Sequence, residues 1–195
     1  MLLLASLLGL NLTSFAFGCG PFIQHDQNRF CRSEFAFTGF VLQSTEREIE
    51  SVFLIQLTSN LKGRIALPGQ LLTIYGRGSA NSCGPHRLNR LQGHIIYVGR
   101  SEFPDEAPRF EIHEHHDFNL VQLNSIANYD CSCEVEIDLP QQPLQGSTVP
   151  PGDKCVITEN EYDCRFRQGY CSRRRSFLGG DRCRWTVPNT VCPRR

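Results

Sequence analysis

The chain lacks the usual signatures of catalysis. It has no Gly-x-Ser-x-Gly elbow, no Gly-rich phosphate loop and no His-Glu-x-x-His helix, so serine-hydrolase, nucleotide-binding and zinc-peptidase chemistry have no motif to stand on. Paired Cys-x-x-Cys knuckles are missing too, which weighs against a structural-zinc reading of the cysteines. Formal net charge is zero, with 20 basic and 20 acidic residues. No segment after residue 18 is long and apolar enough to span a bilayer. These absences point to a non-enzymatic protein with no cofactor of its own.

Charge is also absent from the first eighteen residues, where Leu2, Leu3, Leu4, Leu7, Leu8, Leu10 and Leu12 form an apolar run too short for a membrane span. Ala16 and Gly18 are small side chains at the two positions a signal peptidase inspects. The expectation is a leader over 1–18, cleavage before Cys19, and release to the extracellular space or matrix as a monomer. The competing reading is a buried N-terminal helix, because the leader has no basic residue at its start. The sequon Asn11-Leu12-Thr13 falls inside the leader and is expected to carry no sugar.

What the mature segment does have is cysteine. All ten cysteines follow the expected cut: Cys19, Cys31, Cys83, Cys131, Cys133, Cys155, Cys164, Cys171, Cys183 and Cys192. In an oxidising compartment an even number reads as five bridges. Seven of the ten lie after Ala127, so the C-terminal part is expected to depend on bridges worth ~2–4 kcal/mol each. The polar, Pro-rich stretch 139–152 reads as a linker or long loop.

The neutral total hides an asymmetry. From Arg165 to the end there are nine arginines and a single acid, Asp181. Arg165, Arg167, Arg173, Arg174 and Arg175 form a candidate polyanion-binding group, whose extracellular ligand would be a sulfated glycosaminoglycan rather than nucleic acid. A solvated face, or a basic lobe folded against the acidic one, is the bland alternative.

Between these features the pattern is mainly β. Phe35 to Leu42, Ile49 to Leu61, Leu71 to Tyr75, Ile95 to Val98 and Phe110 to Phe118 read as strands, with Ile49, Ser51, Phe53, Ile55 and Leu57 on one face. Turn residues separate them at Leu67-Pro68-Gly69, Gly76-Arg77-Gly78, Gly84-Pro85 and Phe103-Pro104-Asp105. Five such strands predict a small closed barrel. Asn119 to Tyr129 reads as a helix with Asn119 as its cap.

Two histidines at i and i+2 in His113-Glu114-His115-His116 are a weak surface-metal candidate. Strict alternation would put Glu111, His113, His115 and Asp117 on one face, and Ile112, Glu114, His116 and Phe118 on the other.

The order of these features resembles the tissue inhibitors of metalloproteinases. The resemblance rests on the run from Cys19 to Cys31 with its His25, Gln27 and Phe30, on Ala80-Asn81-Ser82-Cys83-Gly84, on Asp117-Phe118, on Cys131-Ser132-Cys133 and on Cys183-Arg184-Trp185. It is close over 19–133 and loose afterwards. It implies a five-stranded OB-type, netrin-like barrel with flanking helices over 19–138, and a small disulfide-rich C-terminal subdomain over 139–195. It implies bridges Cys19–Cys83, Cys31–Cys131 and Cys133–Cys183, and leaves Cys155, Cys164, Cys171 and Cys192 unassigned.

The function it implies is inhibition of zinc metalloendopeptidases. The free amine and carbonyl of Cys19 would chelate the target's zinc. Cys19, Gly20, Pro21 and Phe22 with Ala80, Asn81, Ser82 and Cys83 would form one wedge. The chain departs from the family pattern in two ways. A second bridge is lost as a pair, its two positions being Pro21 and His116, the latter expected to fill the vacated space. Gly20 offers no side chain to the protease's specificity pocket, which predicts weaker inhibition. The alternative is a non-inhibitory module that binds glycosaminoglycan or a receptor through its basic lobe.

Overall fold

The computed structural model describes residues 24–101, 108–138, 150–158, 165–166, 169–175 and 180–186. The expected leader, Cys19 to Phe22, Arg167, Cys164, Cys192 and most of the Pro-rich stretch lie outside the described residues.

Helix α1 (Asp26–Arg32) comes first and is capped by His25, whose Nδ1 accepts the Gln27 N–H at 3.2 Å. Five strands follow: β1 (Phe35–Glu46), β2 (Glu50–Lys62), β3 (Leu71–Arg77), β4 (Gly93–Ser101) and β5 (Arg109–Asp117). They close into a barrel of order β1-β2-β3-β5-β4, with β1 pairing back to β4. Only the β3–β5 contact is parallel, which makes this an OB-type closure. Helix α2 (Leu120–Ile126) follows, with Asn119 Oδ1 accepting the Gln122 N–H at 2.6 Å.

One strand must serve two halves of the barrel, because β1 pairs with both β2 and β4. That demands coiling, and β1 and β2 slip register three times. One slip falls at Thr38/Gly39. A Cβ on Gly39 would lie 2.6 Å from Ile55 Cγ2 and 2.9 Å from Gln56 O, so only glycine fits there.

Inside the barrel Phe37, Val41, Phe53, Ile55, Leu57, Ile74, Ile96, Val98 and Ile112 pack with Leu88. Each such side chain contributes about 1.5–3 kcal/mol on burial. A second cluster of Phe30, Ala36, Ile95, Tyr97 and Ile126 fixes the two helices to the outside of the barrel. Cys31 and Cys131 bridge across it, with Cα atoms 5.3 Å apart. Closing that 100-residue separation removes unfolded-state entropy worth about 4.7 kcal/mol.

Among the described residues the remaining strands form two small sheets. β6 (Glu134–Asp138) pairs in parallel with β7 (Lys154–Thr158), and β8 (Tyr170–Arg175) pairs antiparallel with β9 (Asp181–Thr186). The division expected after Asp138 therefore separates two strands that hydrogen-bond to each other. Of the six residues buried in this core, Cys133, Cys155, Cys171 and Cys183 are half-cystines, joined as Cys133–Cys183 and Cys155–Cys171. The other two, Val135 and Ile157, are flanked by Ile137, Phe166 and Trp185.

Helix α1 joins the two regions. Gln27 is fully buried. Its amide nitrogen donates to the carbonyls of Asp130 (2.9 Å) and Cys171 (2.8 Å), while its Oε1 accepts the Cys171 N–H at 2.8 Å. Next to it, Asn28 exchanges two hydrogen bonds with the Val135 backbone. His25 packs edge-on against Phe166, Trp185 and Tyr129.

Candidate functional site

The loop between β3 and β4 is exposed. Residues Ser79, Ala80, Asn81, Ser82 and Cys83 are all exposed, yet both ends of the loop are locked. At the first end three successive amides donate to the turn between β1 and β2. Gly78 N–H reaches Ile49 O at 3.1 Å, Ser79 N–H reaches Arg47 O at 3.0 Å, and Ala80 N–H reaches Glu48 O at 2.8 Å. A Cβ on Gly78 would lie 2.5 Å from the carbonyls of Arg47 and Glu48, so this approach of two backbones requires glycine.

The other end is held by His86. This buried side chain accepts the Arg77 N–H through Nδ1 at 2.9 Å, and its own backbone N–H donates to Arg77 O at 3.1 Å. The ring lies over Gly76, where a Cβ would meet Nδ1 at 2.8 Å. Within the loop, Asn81 Oδ1 accepts the Cys83 N–H at 3.0 Å, and Gly84 turns the chain with φ +71°.

Cys83 is disulfide-bonded. The other six described cysteines pair among themselves, so its partner lies outside the described residues. Of the residues named from sequence for this wedge, Ala80, Asn81, Ser82 and Cys83 lie together here, while Cys19, Gly20, Pro21 and Phe22 lie outside the described residues.

Sequence reasoning missed the neighbour of this loop. Alternation puts Ile49 on one strand face with Ser51, Phe53, Ile55 and Leu57, but it precedes β2, sits in the turn and is 87% exposed. The rest of that face, Ser51, Phe53, Ile55 and Leu57, is buried. The charged run Glu46-Arg47-Glu48 just before it is the available sign of a turn, with β2 not yet begun.

The histidine segment also departs from simple alternation. β4 and β5 slip register between Tyr97/Glu114 and Val98/Ile112, leaving His113 as the extra residue. Its ring rests on Gly99, where a Cβ would lie 2.4 Å away. Past the bulge the phase is reversed. Ile112 enters the barrel core, whereas Glu114 and His116 turn outward to Arg29 and Asp26 of α1.

His116 Nε2 meets Asp26 Oδ1 at 2.7 Å, and Asp26 also accepts from Tyr97 (2.8 Å), Tyr129 (2.9 Å) and Gln122. Burial pushes the Asp26 carboxyl up, but the His116 bond and charge and the tyrosine hydroxyls outweigh it and hold it below the usual value. Burial pulls His116 down, but its bond and attraction to Asp26 raise it overall.

His115 instead lies edge-on to His86 and His94, at centroid distances of 5.7 and 6.3 Å. Burial, then the Arg77, His115 and His113 charges, lower His86 to about 4. His115 is lowered chiefly by burial. His94 Nδ1 lies 3.4 Å from Asp117 but without hydrogen-bond geometry.

Among the described residues the sole side-chain cluster dense enough for a metal is Cys133, Cys171 and Cys183. All three sulfurs are in disulfides, so they are not thiolate ligands.

The candidate polyanion residues separate. Arg173 is used internally, donating to Asp153 Oδ1 at 2.7 Å and to Ser132. Arg165 stacks over Trp185. Arg174 and Arg175 are exposed.

No family model matches the chain, and no curated protein matches it. Among the described residues no helix is long and apolar enough to cross a membrane.

Proposed function

We propose that the protein is a secreted inhibitor of zinc metalloendopeptidases of the tissue-inhibitor type, acting through a free N-terminal Cys19 tied to Cys83. The observation that carries this reading is the exposed, doubly anchored loop from Ser79 to Cys83, with its oxidised half-cystine and its three-hydrogen-bond brace to the β1–β2 turn. A loop held this way loses little further conformational entropy when it docks.

The chemistry follows from what a protease zinc offers. Its open coordination position normally holds water. An α-amine and the carbonyl of the same residue form a five-membered chelate that displaces this water. The amine must be unprotonated to coordinate, and its reference pKa of about 7.7–8.0 makes that easy near neutral pH. Cysteine at the first mature position lets a disulfide pre-order the chelating group while the amine stays free. That arrangement requires a leader and its removal before Cys19.

Two features set the strength. Gly20 leaves the specificity pocket unfilled, which forfeits on the order of 1 kcal/mol or more. The braced turn adds Ile49, an exposed aliphatic side chain beside the loop. The experiment is titration of the mature chain, beginning at Cys19, against a panel of zinc endopeptidases. Stoichiometric or saturable inhibition of at least one member supports the reading, and no inhibition across the panel refutes it.

A further inference from the structure

The arginine-rich tail has a face that the primary sequence does not display. β8 and β9 pair in the register Ser172↔Arg184, Arg173↔Cys183, Arg174↔Arg182 and Arg175↔Asp181. Direct cross-strand partners share a face, and so do residues two apart. Cys171, Arg173, Cys183 and Trp185 therefore face the disulfide core, while Arg174, Arg182 and Arg184 share the outer face and are exposed.

None of these three has a carboxylate partner among the described residues. Arg174 donates to Thr186 Oγ1 at 2.6 Å, and Asp181 is opposite Arg175 on the other face. Two like charges directly opposite one another destabilise a strand pair, and Arg174 and Arg182 are such a pair. A bound anion relieves that repulsion, which gives this face a reason to bind one.

We propose that the outer face of the β8–β9 hairpin, through Arg174, Arg182 and Arg184, binds sulfated glycosaminoglycan. The guanidinium fork matches tetrahedral oxyanions bidentately. Cross-strand neighbours stand about 5 Å apart and alternate residues on a strand about 7 Å apart, so the three forks present a short cationic strip. The strip is flat and solvated, so a single anion gains little from it. A polymer of closely spaced sulfates gains repeatedly.

The other polyanions fit less well. The three disulfides between described residues, with Cys83 bonded as well, point to an oxidising compartment, where nucleic acid is scarce. A membrane-binding face would also carry apolar side chains to insert. Among the described residues the exposed large hydrophobics lie on the barrel, such as Phe40 and Leu91, or on α2, such as Leu120, and none lies on β8 or β9.

The test is binding of full-length mature protein to immobilised heparin at physiological salt. The parent is compared with Arg174→Ala/Arg182→Ala/Arg184→Ala and with a charge-matched barrel triple, Arg64→Ala/Arg87→Ala/Arg90→Ala. Free-thiol titration and Trp185 fluorescence report whether each variant keeps its cystines and C-terminal core. The hairpin triple is expected to lose affinity by roughly a hundredfold, at about fivefold per arginine held near an anionic surface. The barrel triple is expected to bind like the parent. Equal losses in the two triples, full binding by a folded hairpin triple, or tighter binding to phosphatidylserine vesicles than to heparin would each overturn the proposal. If the hairpin triple misfolds, the Arg→Lys triple replaces it. That variant keeps the charge but loses the fork, and is expected to bind more weakly than the parent; parent-like binding would count against the proposal.

Discussion

Ala80 donates its backbone N–H to the carbonyl of Glu48 at 2.8 Å, and this bond joins the β3–β4 loop to the β1–β2 turn. With the parallel bonds from Gly78 and Ser79, it makes one surface of two segments about thirty residues apart. The proposed wedge is therefore wider than the loop alone.

Gly78→Ala should break that union. Its Cβ would sit 2.5 Å from two backbone carbonyls and from the Glu50 nitrogen, with no flexible side chain to yield. Inhibition is expected to weaken by tenfold or more, taking the loss of about 1.4 kcal/mol or more of ordered contact. The barrel core should keep its cooperative unfolding. Kinetic inhibition assays beside thermal melts separate the two effects.

Ile49→Ala should leave stability within about 0.5 kcal/mol, because the side chain is 87% exposed. If Ile49 is covered by the protease, truncation removes about 1–2 kcal/mol of apolar burial, a fivefold to thirtyfold rise in the inhibition constant. Unchanged inhibition would remove the turn from the contact surface.

Gln27→Ala should destabilise the joint between α1 and the C-terminal sheets. It strands the buried Cys171 N–H and the Cys171 carbonyl, whereas the Asp130 carbonyl keeps the Cys133 N–H as a donor. Unsatisfied buried groups cost about 1–3 kcal/mol each, so a clear fall in melting temperature is expected. Hydrogen exchange should show the loss concentrated in β8. A uniform loss across the barrel would contradict the assignment.

Acid should loosen the loop through His86. Its Nδ1 accepts the Arg77 N–H, so protonation at that atom breaks the latch. The folded value of about 4 lies below the ordinary 6.5, so the unfolded chain binds the proton more readily. Stability from this group is complete above about 6.5 and is lost as pH falls towards 4. His25 and His115, also lowered by burial, act in the same direction. His116 is raised, so its contribution is present below the ordinary histidine value and fades as pH rises through its folded one. Asp26 is lowered and weakens only at still lower pH, as the fall passes through its folded value. Three groups against one predict a melting temperature that drops between pH 6.5 and 4. His86→Gln should flatten part of that slope, and an unchanged slope would rule His86 out as its source.

The barrel was legible because its strands obey simple periodicity. Ser51, Phe53, Ile55 and Leu57 alternate into the core as the pattern says. The pattern overreached at Ile49, since periodicity alone does not mark where a turn begins. It also failed at His113, where one inserted residue reverses the inside and outside of everything after it. The small sheets β6 to β9 could not be seen, because half-cystines do there what Val and Ile do in the barrel. The brace from Gly78, Ser79 and Ala80 is a backbone contact between distant segments, which no local pattern records.

The most direct test of the account compares mature protein beginning at Cys19 with the same protein carrying one added alanine before it. Both are titrated against a zinc endopeptidase that the native form inhibits. The account predicts that the extension abolishes inhibition while the melting temperature and the cystine content stay unchanged, because only the chelating amine has moved. Equal inhibition by the two forms would show that Cys19 does not reach the zinc.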